Sequence, residues 1–216
     1  SQRIQEYTAT LLTRLQTIQE GIQGKILSKT QYISVDEYVD NMLGQNQIVD
    51  VDISSLDDAS AEVVTKVLAK LLLDYLKRRA NKADMPINCL IEEAHRFVRN
   101  EMSYGAVGYN IFERIAKEGR KYGVILDIIS QRPVEISDTV IAQCSNFLIF
   151  KMTHPLDIKY ISEMLPNISA DIIEKQKTLQ PGTCVSFGSA FKIPMIVKME
   201  MPNPMPYSSN CNVSSC

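Results

Sequence analysis

Several features are missing from this sequence, and each absence excludes something. There is no excess of one charge: 23 lysines and arginines against 25 aspartates and glutamates leave a formal net charge of −2. A simple cationic domain that coats nucleic acid is therefore excluded, whereas contact with phosphates through a few local loops would be hidden by so balanced a total. No apolar run approaches the length of a membrane span, and Ser1-Gln2-Arg3 opens no hydrophobic signal core, so a cytoplasmic protein is expected. No two cysteines have metal-ligand spacing. Cys89, Cys144 and Cys184 lie in apolar stretches and are expected to be buried reduced thiols, while Cys211 and Cys216 fall in a Ser/Asn-rich end. No internal repeat is found. What is present is ordinary globular composition, 45% hydrophobic and 22% charged, in 216 residues. That length buries one substantial core, or one core with a small appended bundle.

Read in order, Ile4, Tyr7, Leu11, Leu15 and Ile18 recur at helical steps opposite Arg3, Glu6, Arg14 and Gln16, which predicts an amphipathic docking helix ended by Gly21 and Gly24. Ser34-Val35-Asp36-Glu37 offers a capping box for a short helix to about Leu43, closed by Gly44. Gln47 to Ile53 alternates as a strand. Asp57 or Asp58 caps the next helix, whose apolar face is expected at Val64, Val67, Leu68, Leu71, Leu72 and Tyr75. Lys77-Arg78-Arg79 is expected to be its solvated end, favoured by the macrodipole, in preference to a DNA contact. A polar loop from Arg96 to Tyr109 leads to a helix with Val107, Ile111, Phe112, Ile115 and Ala116 inward and glycines at 119 and 123. Val124 to Ile129 and Asn146 to Met152 read as strands, the first covered on both faces, with a short helix near Ser137 to Cys144 between them. Helices from Pro155 and from Ser169 or Ala170 follow, His154 serving as a cap. Gly182 to Phe187 and Ile193 to Met199 predict a β-hairpin, and the Pro/Ser/Asn-rich end from Pro202 an extended arm. Alternating strands and helices imply a mainly parallel α/β sheet.

The chemistry centres on Asn88-Cys89-Leu90-Ile91-Glu92-Glu93-Ala94-His95. An apolar run of strand length that ends in two adjacent carboxylates places charge where a buried strand would not tolerate it, so the acids belong at the strand's exposed carboxyl end. Such a pair can serve a metal ion and a water together: Glu92 would hold magnesium through water and Glu93 would polarise the attacking water, as in a Walker B segment. Gln131 ends the next strand. It is suited to sense a γ-phosphate or that water, and the spacing fits equally well a strand-ending amide in a turn before Pro133. In Glu113 to Arg120 the charges at 113 and 117 and at 114 and 118 pair at four-residue steps, which leaves Arg120 for a phosphoryl group or for the surface.

Ile91-Glu92-Glu93-Ala94-His95, Ala116-Lys117-Glu118-Gly119-Arg120-Lys121-Tyr122-Gly123, Ser130-Gln131-Arg132-Pro133 and Gly188-Ser189-Ala190-Phe191-Lys192-Ile193-Pro194, in that order, resemble the HerA branch of the HerA/FtsK superfamily of hexameric ATPases. The likeness runs from about Ile48 to Pro206. It implies a RecA-like P-loop NTPase (ASCE) sheet flanked by helices, ATP and Mg as cofactors, homo-hexamers, double-stranded DNA as the track, and a NurA-type nuclease or other effector as partner. It further implies Glu93, Gln131 and Arg120 as catalytic residues and Glu92 near magnesium, with Arg132 as a second basic contact or a plain turn residue. His95 would give a supporting hydrogen bond.

The sequence departs from that family in two ways. No G-x-x-x-x-G-K-[ST] phosphate loop occurs, since Gly21-Ile22-Gln23-Gly24-Lys25-Ile26 has its glycines too close and no strand before it. The first acid is Glu92 where Asp is usual. The resemblance then implies that the loop and its strand lie upstream of Ser1, that the chain is the C-terminal part of a longer ATPase, and that alone it is inactive. Its segments would be 1–45 helical, 46–180 ATPase core, and 181–216 hairpin and arm. An absent strand between those at Val124 and Asn146 would leave a slot, with exchange of elements between chains or an altered strand order as the outcome. Two other readings keep the fold: a pump of DNA or protein in conjugation or secretion, and a non-catalytic scaffold, which the intact Glu-Glu pair and Gln131 oppose. Upstream, a small β-barrel would favour the translocase and transmembrane segments the pump.

Overall fold

The computed structural model describes residues 33–44, 48–100, 109–164 and 174–206, with Thr8, Ala9, Leu12, Thr13, Gln16 and Glu20 in addition. The last six are helical and exposed, whereas the apolar stripe expected of that helix, the glycines after it and the arm beyond Pro206 lie outside the described residues. The chain forms two compact units: Ser1–Cys89 with Tyr104–Ile111 and Glu118–Ile125, and Leu90–Ser103 with Phe112–Lys117 and Leu126–Cys216.

In the first unit, helix α1 (Val35–Leu43) starts as its sequence predicts, Ser34 Oγ accepting the Glu37 N–H. Asp57 does the same for α2 (Asp58–Arg78), taking the Ser60 N–H at 2.9 Å. Hydrogen bonds from Ser60 to a carboxylate hold the Asp57 carboxyl below its usual range. The buried stripe of α2 is Ala61, Ala69, Leu72, Leu73, Tyr75 and Leu76. This bears out Leu72 and Tyr75 of the expected face and corrects the rest, since Val67 is exposed and Val64, Leu68 and Leu71 are only half-buried. Apolar residues nearly encircle this helix, so periodicity selects no stripe; alanines at 61 and 69 offer a close approach that larger side chains do not. α1 packs on α2, and the Tyr75 hydroxyl donates to Asp40 Oδ1 at 2.5 Å.

The basic end of α2 is also not simply solvated. Lys77 pairs with Glu118 at 2.8 Å and Arg79 with Asp84 at 3.3 Å, while Arg78 reaches Asp36 at 2.5 Å. Each cation therefore has a folded partner, as three consecutive positions around a helix end point to three different neighbours. A second correction concerns 48–53, which forms no strand. Ile48, Val49 and Val51 are exposed, and among the described residues no ladder partner faces them; alternation makes a strand only when another backbone pairs with it.

Strand β1 (Ile87–Ile91) and β2 (Val124–Ile128) form a two-stranded sheet. Ile87 N donates to Gly123 O in the first unit and Ile129 N to Ile91 O in the second, so both numbers rise together and the pair is parallel. The fold is thus mixed α/β. β2 shows Ile125 and Ile129 to solvent, where a strand covered on both faces was expected; nothing among the described residues overlies that face. Gly123, at φ 86°, turns the chain into β2 where a Cβ would meet Ala83 Cα at 3.1 Å.

In the second unit, helix α3 (Ile111–Glu118), which begins in the first, buries Phe112 and Ile115 completely, each contributing about 1.5–3 kcal/mol of burial. A turn at Pro133–Glu135 precedes α4 (Asp138–Gln143), and β3 (Asn146–Phe150) leads to α5 (Pro155–Met164). β4 (Thr183–Gly188) pairs antiparallel with β3 on one side and with β5 (Met195–Lys198) on the other, which is the expected hairpin. Phe147 stacks on Phe187 with centroids 4.9 Å apart, over Leu179, Val185 and Ile149. β2 and β3 share no ladder; the strand orders are β1-β2 and β3-β4-β5. Beyond β5, residues 199–206 have no regular structure and are exposed. Cys184 is buried and free, as expected, while Cys89 and Cys144 are only half-buried. Among the described residues no helix is long and apolar enough to cross a membrane.

Candidate functional site

The site grows from the way β1 and β2 end. Beyond the ladder, Ala94 N donates to Ile129 O at 2.9 Å, so the residue after the acid pair is tied to the end of the neighbouring strand. The chain between must turn sharply, and it does so at Glu93, which takes φ 47° and ψ 44°. A left-handed residue that is not glycine costs about 1–3 kcal/mol, which the flanking hydrogen bonds sustain. A short 3-10 turn, Ala94–Arg96, follows directly and lifts His95 beside the tip of β2.

The outcome is a compact polar cluster. Gln131 Nε2 donates to Glu93 Oε1 at 2.8 Å. His95 Nδ1 lies 3.3 Å from Glu93 Oε2 and 3.2 Å from Ser130 Oγ. Ser130 Oγ in turn accepts the Arg132 N–H at 3.0 Å. Glu93 is 43% exposed against 17% for His95, so the carboxylate opens to solvent while the imidazole is packed. Glu92 is exposed at the strand end, with no hydrogen bond or ion pair among the described residues. Arg132 is exposed and pairs with Glu135 at 2.9 Å, and that neighbour favours its charged form. The loop carrying Gln131 and Arg132 is anchored from behind by buried Asp157, which accepts the Val134 N–H at 3.3 Å.

The structure therefore brings Glu93 and Gln131 together and puts His95 against Glu93. Glu92 and Arg132 stand in the same unit. Arg120 is exposed in a 3-10 turn of the other unit, Gly119–Tyr122. His154 caps α5 through its carbonyl, which accepts the Ile158 N–H, and its ring lies 3.5 Å from Asp157. Sequence reasoning gave Ser130 and Asp157 no role. Ser130 carried a signal, as the residue before Gln131; Asp157 carried none beyond its place in the first turn of a helix. Among the described residues no group of three or more His, Cys, Asp or Glu could cage a metal. Magnesium bound to a nucleotide needs no such cage, because one carboxylate, waters and phosphates suffice, and the free carboxylate of Glu92 fits that requirement.

A parallel strand pair ending in adjacent acids, with Gln131 of the next strand on the second acid, is compatible with the α/β fold class of P-loop NTPases. Solved structures of that class share the fold: VirB4 of Thermoanaerobacter pseudethanolicus aligns with a TM-score of 0.62 over 91% of this chain and 50% of that one, at 13% identity. The genome packaging NTPase B204 of Sulfolobus turreted icosahedral virus 2, in complex with ATP-gammaS, gives 0.54 over 79% and 73%, at 19% identity. No family model matches. Among curated proteins, the DNA double-strand break repair helicase HerA of Saccharolobus solfataricus is 36% identical over 156 residues, 70% of this chain and 31% of that protein. Probable helicase MJ1565 of Methanocaldococcus jannaschii is 32% identical over 164 residues, 74% of this chain and 32% of that one. Over about seven-tenths of its length the chain is thus similar in sequence to HerA and HerA-like helicases. It spans about a third of the length of the curated relatives it matches.

Proposed function

We propose that this chain carries the water-activating part of an ATP-driven motor that moves on double-stranded DNA. The observation that carries the reading is the 2.8 Å contact from Gln131 to Glu93 at the ends of two neighbouring parallel strands. Glu93 accepts a hydrogen bond from the attacking water and polarises it, while Gln131 holds the carboxylate and meets the γ-phosphate or the same water. Glu92 would hold magnesium, which when bound would neutralise charge on the phosphates. Arg120 and Arg132 add positive charge to the phosphates, Arg120 from its own subunit or a neighbour's.

The partners follow from the family in the same way: DNA bound without sequence preference, a ring of six copies, and a NurA-like nuclease or other effector. The break between β2 and β3 supports a phosphate-loop strand seated there, and the 216 residues alone hydrolyse ATP negligibly because they contain no such loop. The test is ATP turnover of the full-length protein with Glu93→Gln. A loss of a hundredfold or more with nucleotide binding retained is expected; turnover near wild type would remove Glu93 from the mechanism.

A further inference from the structure

We infer that His95 is a positioning residue for Glu93, acting with Ser130; the inference rests on the reading of Glu93 as the water-activating carboxylate. Glu93 leaves the backbone from a strained turn and is open to solvent, so its carboxylate would rotate freely if Gln131 alone held one oxygen. His95 takes the other. Gln131 is on Oε1 and His95 Nδ1 faces Oε2, so the two contacts fix the plane of the group. Each oxygen keeps a lone pair for a water, and the grip orients the base without occupying it.

The hydrogen on the imidazole follows from its neighbours. An ionised carboxylate can only accept, so Nδ1 carries the hydrogen and shares it between Glu93 Oε2 and Ser130 Oγ, 3.3 and 3.2 Å away. Ser130 is itself fixed by the Arg132 N–H. The tip of β2 thereby supports the ring, the ring supports the carboxylate, and both lie within the same unit.

Two measurements test this. The sequence has two histidines, so His154→Asn leaves His95 as the one imidazole, and 15N spectra of this chain without nucleotide report its tautomer directly. Hydrogen on Nδ1 is expected, retained in Ser130→Ala and moving to Nε2 when Glu93→Ala is added to it; hydrogen on Nε2 from the start or in Ser130→Ala, or no change in the double variant, overturns the proposal. In the full-length protein, His95→Ala is expected to lower kcat about tenfold or more with KM for ATP unchanged. His95→Asn, whose amide N–H reaches the same point, should regain most of that. An unaltered kcat in His95→Ala refutes the positioning role and leaves the Glu93→Gln experiment to decide Glu93 separately.

Discussion

Gln131 at the tip of β2 donates its side-chain amide to Glu93 at the tip of β1, across 38 residues of sequence and 2.8 Å of space. This one contact joins two strand ends, and the proposed site rests on it, because each residue alone is only a polar group in a turn. Removing the amide should free the carboxylate while leaving the fold intact, as Gln131 is exposed. Gln131→Ala is expected to lower kcat of the full-length protein about a hundredfold, with a thermal midpoint unchanged within error. Steady-state ATPase assays beside a melting curve check both.

Gly188 closes β4 at φ 127°, and a Cβ there would lie 2.2 Å from Ser145 O and 2.6 Å from Asn146 Cα. Both neighbours are backbone, at the start of the paired strand and just before it, and cannot step aside. Gly188→Ala is expected to cost about 2–3 kcal/mol, read from the urea midpoint.

Ser137 is fully buried; its hydroxyl donates to Glu113 Oε1 at 2.8 Å and its N–H to Val98 O. Ser137→Ala keeps the backbone bond and takes the hydroxyl from a half-buried carboxylate. A loss of about 1–2 kcal/mol is expected by chemical denaturation.

Tyr160 donates to Asp138 Oδ1 at 2.6 Å, and burial, then that carboxylate, raises its pKa above the ordinary 10.0. A raised folded-state pKa means that the protonated form is favoured by folding. The stabilisation is therefore complete below pH 10 and is lost as pH rises from there through the folded-state value. Tyr160→Phe should flatten that alkaline loss, as followed by circular dichroism against pH.

Leu90, Ile125, Ile129, Leu148 and Phe150 are exposed apolar residues of β1, the β2 end and β3. With no ladder between β2 and β3, strand edges and apolar faces are open together. The 216-residue chain is expected to self-associate, with light scattering giving a mass above 24.3 kDa that falls when Ile125 and Leu148 are changed to Thr.

Local chemistry made much of this readable. Ser34 and Asp57 begin helices because their side chains accept the N–H groups that a first turn leaves over, and that information lies within three residues. The acid pair was visible because two adjacent carboxylates end an apolar run of strand length. The α2 stripe was legible only in part: Leu72 and Tyr75 are buried as expected, but Val67 and Leu71 share the four-residue steps of Tyr75 and only a neighbour's shape chooses among them. The open state of 48–53 was not legible, because pairing belongs to two segments and alternation to one.

The sequence by itself determined where the helices capped by Ser34 and Asp57 begin, which residues carry charge at the end of β1, and that the order of motifs resembles HerA; these depend on spacing along one chain. Only the tertiary structure decided that Glu93 turns left-handed, that Gln131 donates to one of its oxygens while His95 lies 3.3 Å from the other, and that Lys77, Arg78 and Arg79 each find a separate acid. Those outcomes depend on backbones that meet after dozens of intervening residues, and no local propensity encodes the distance between them.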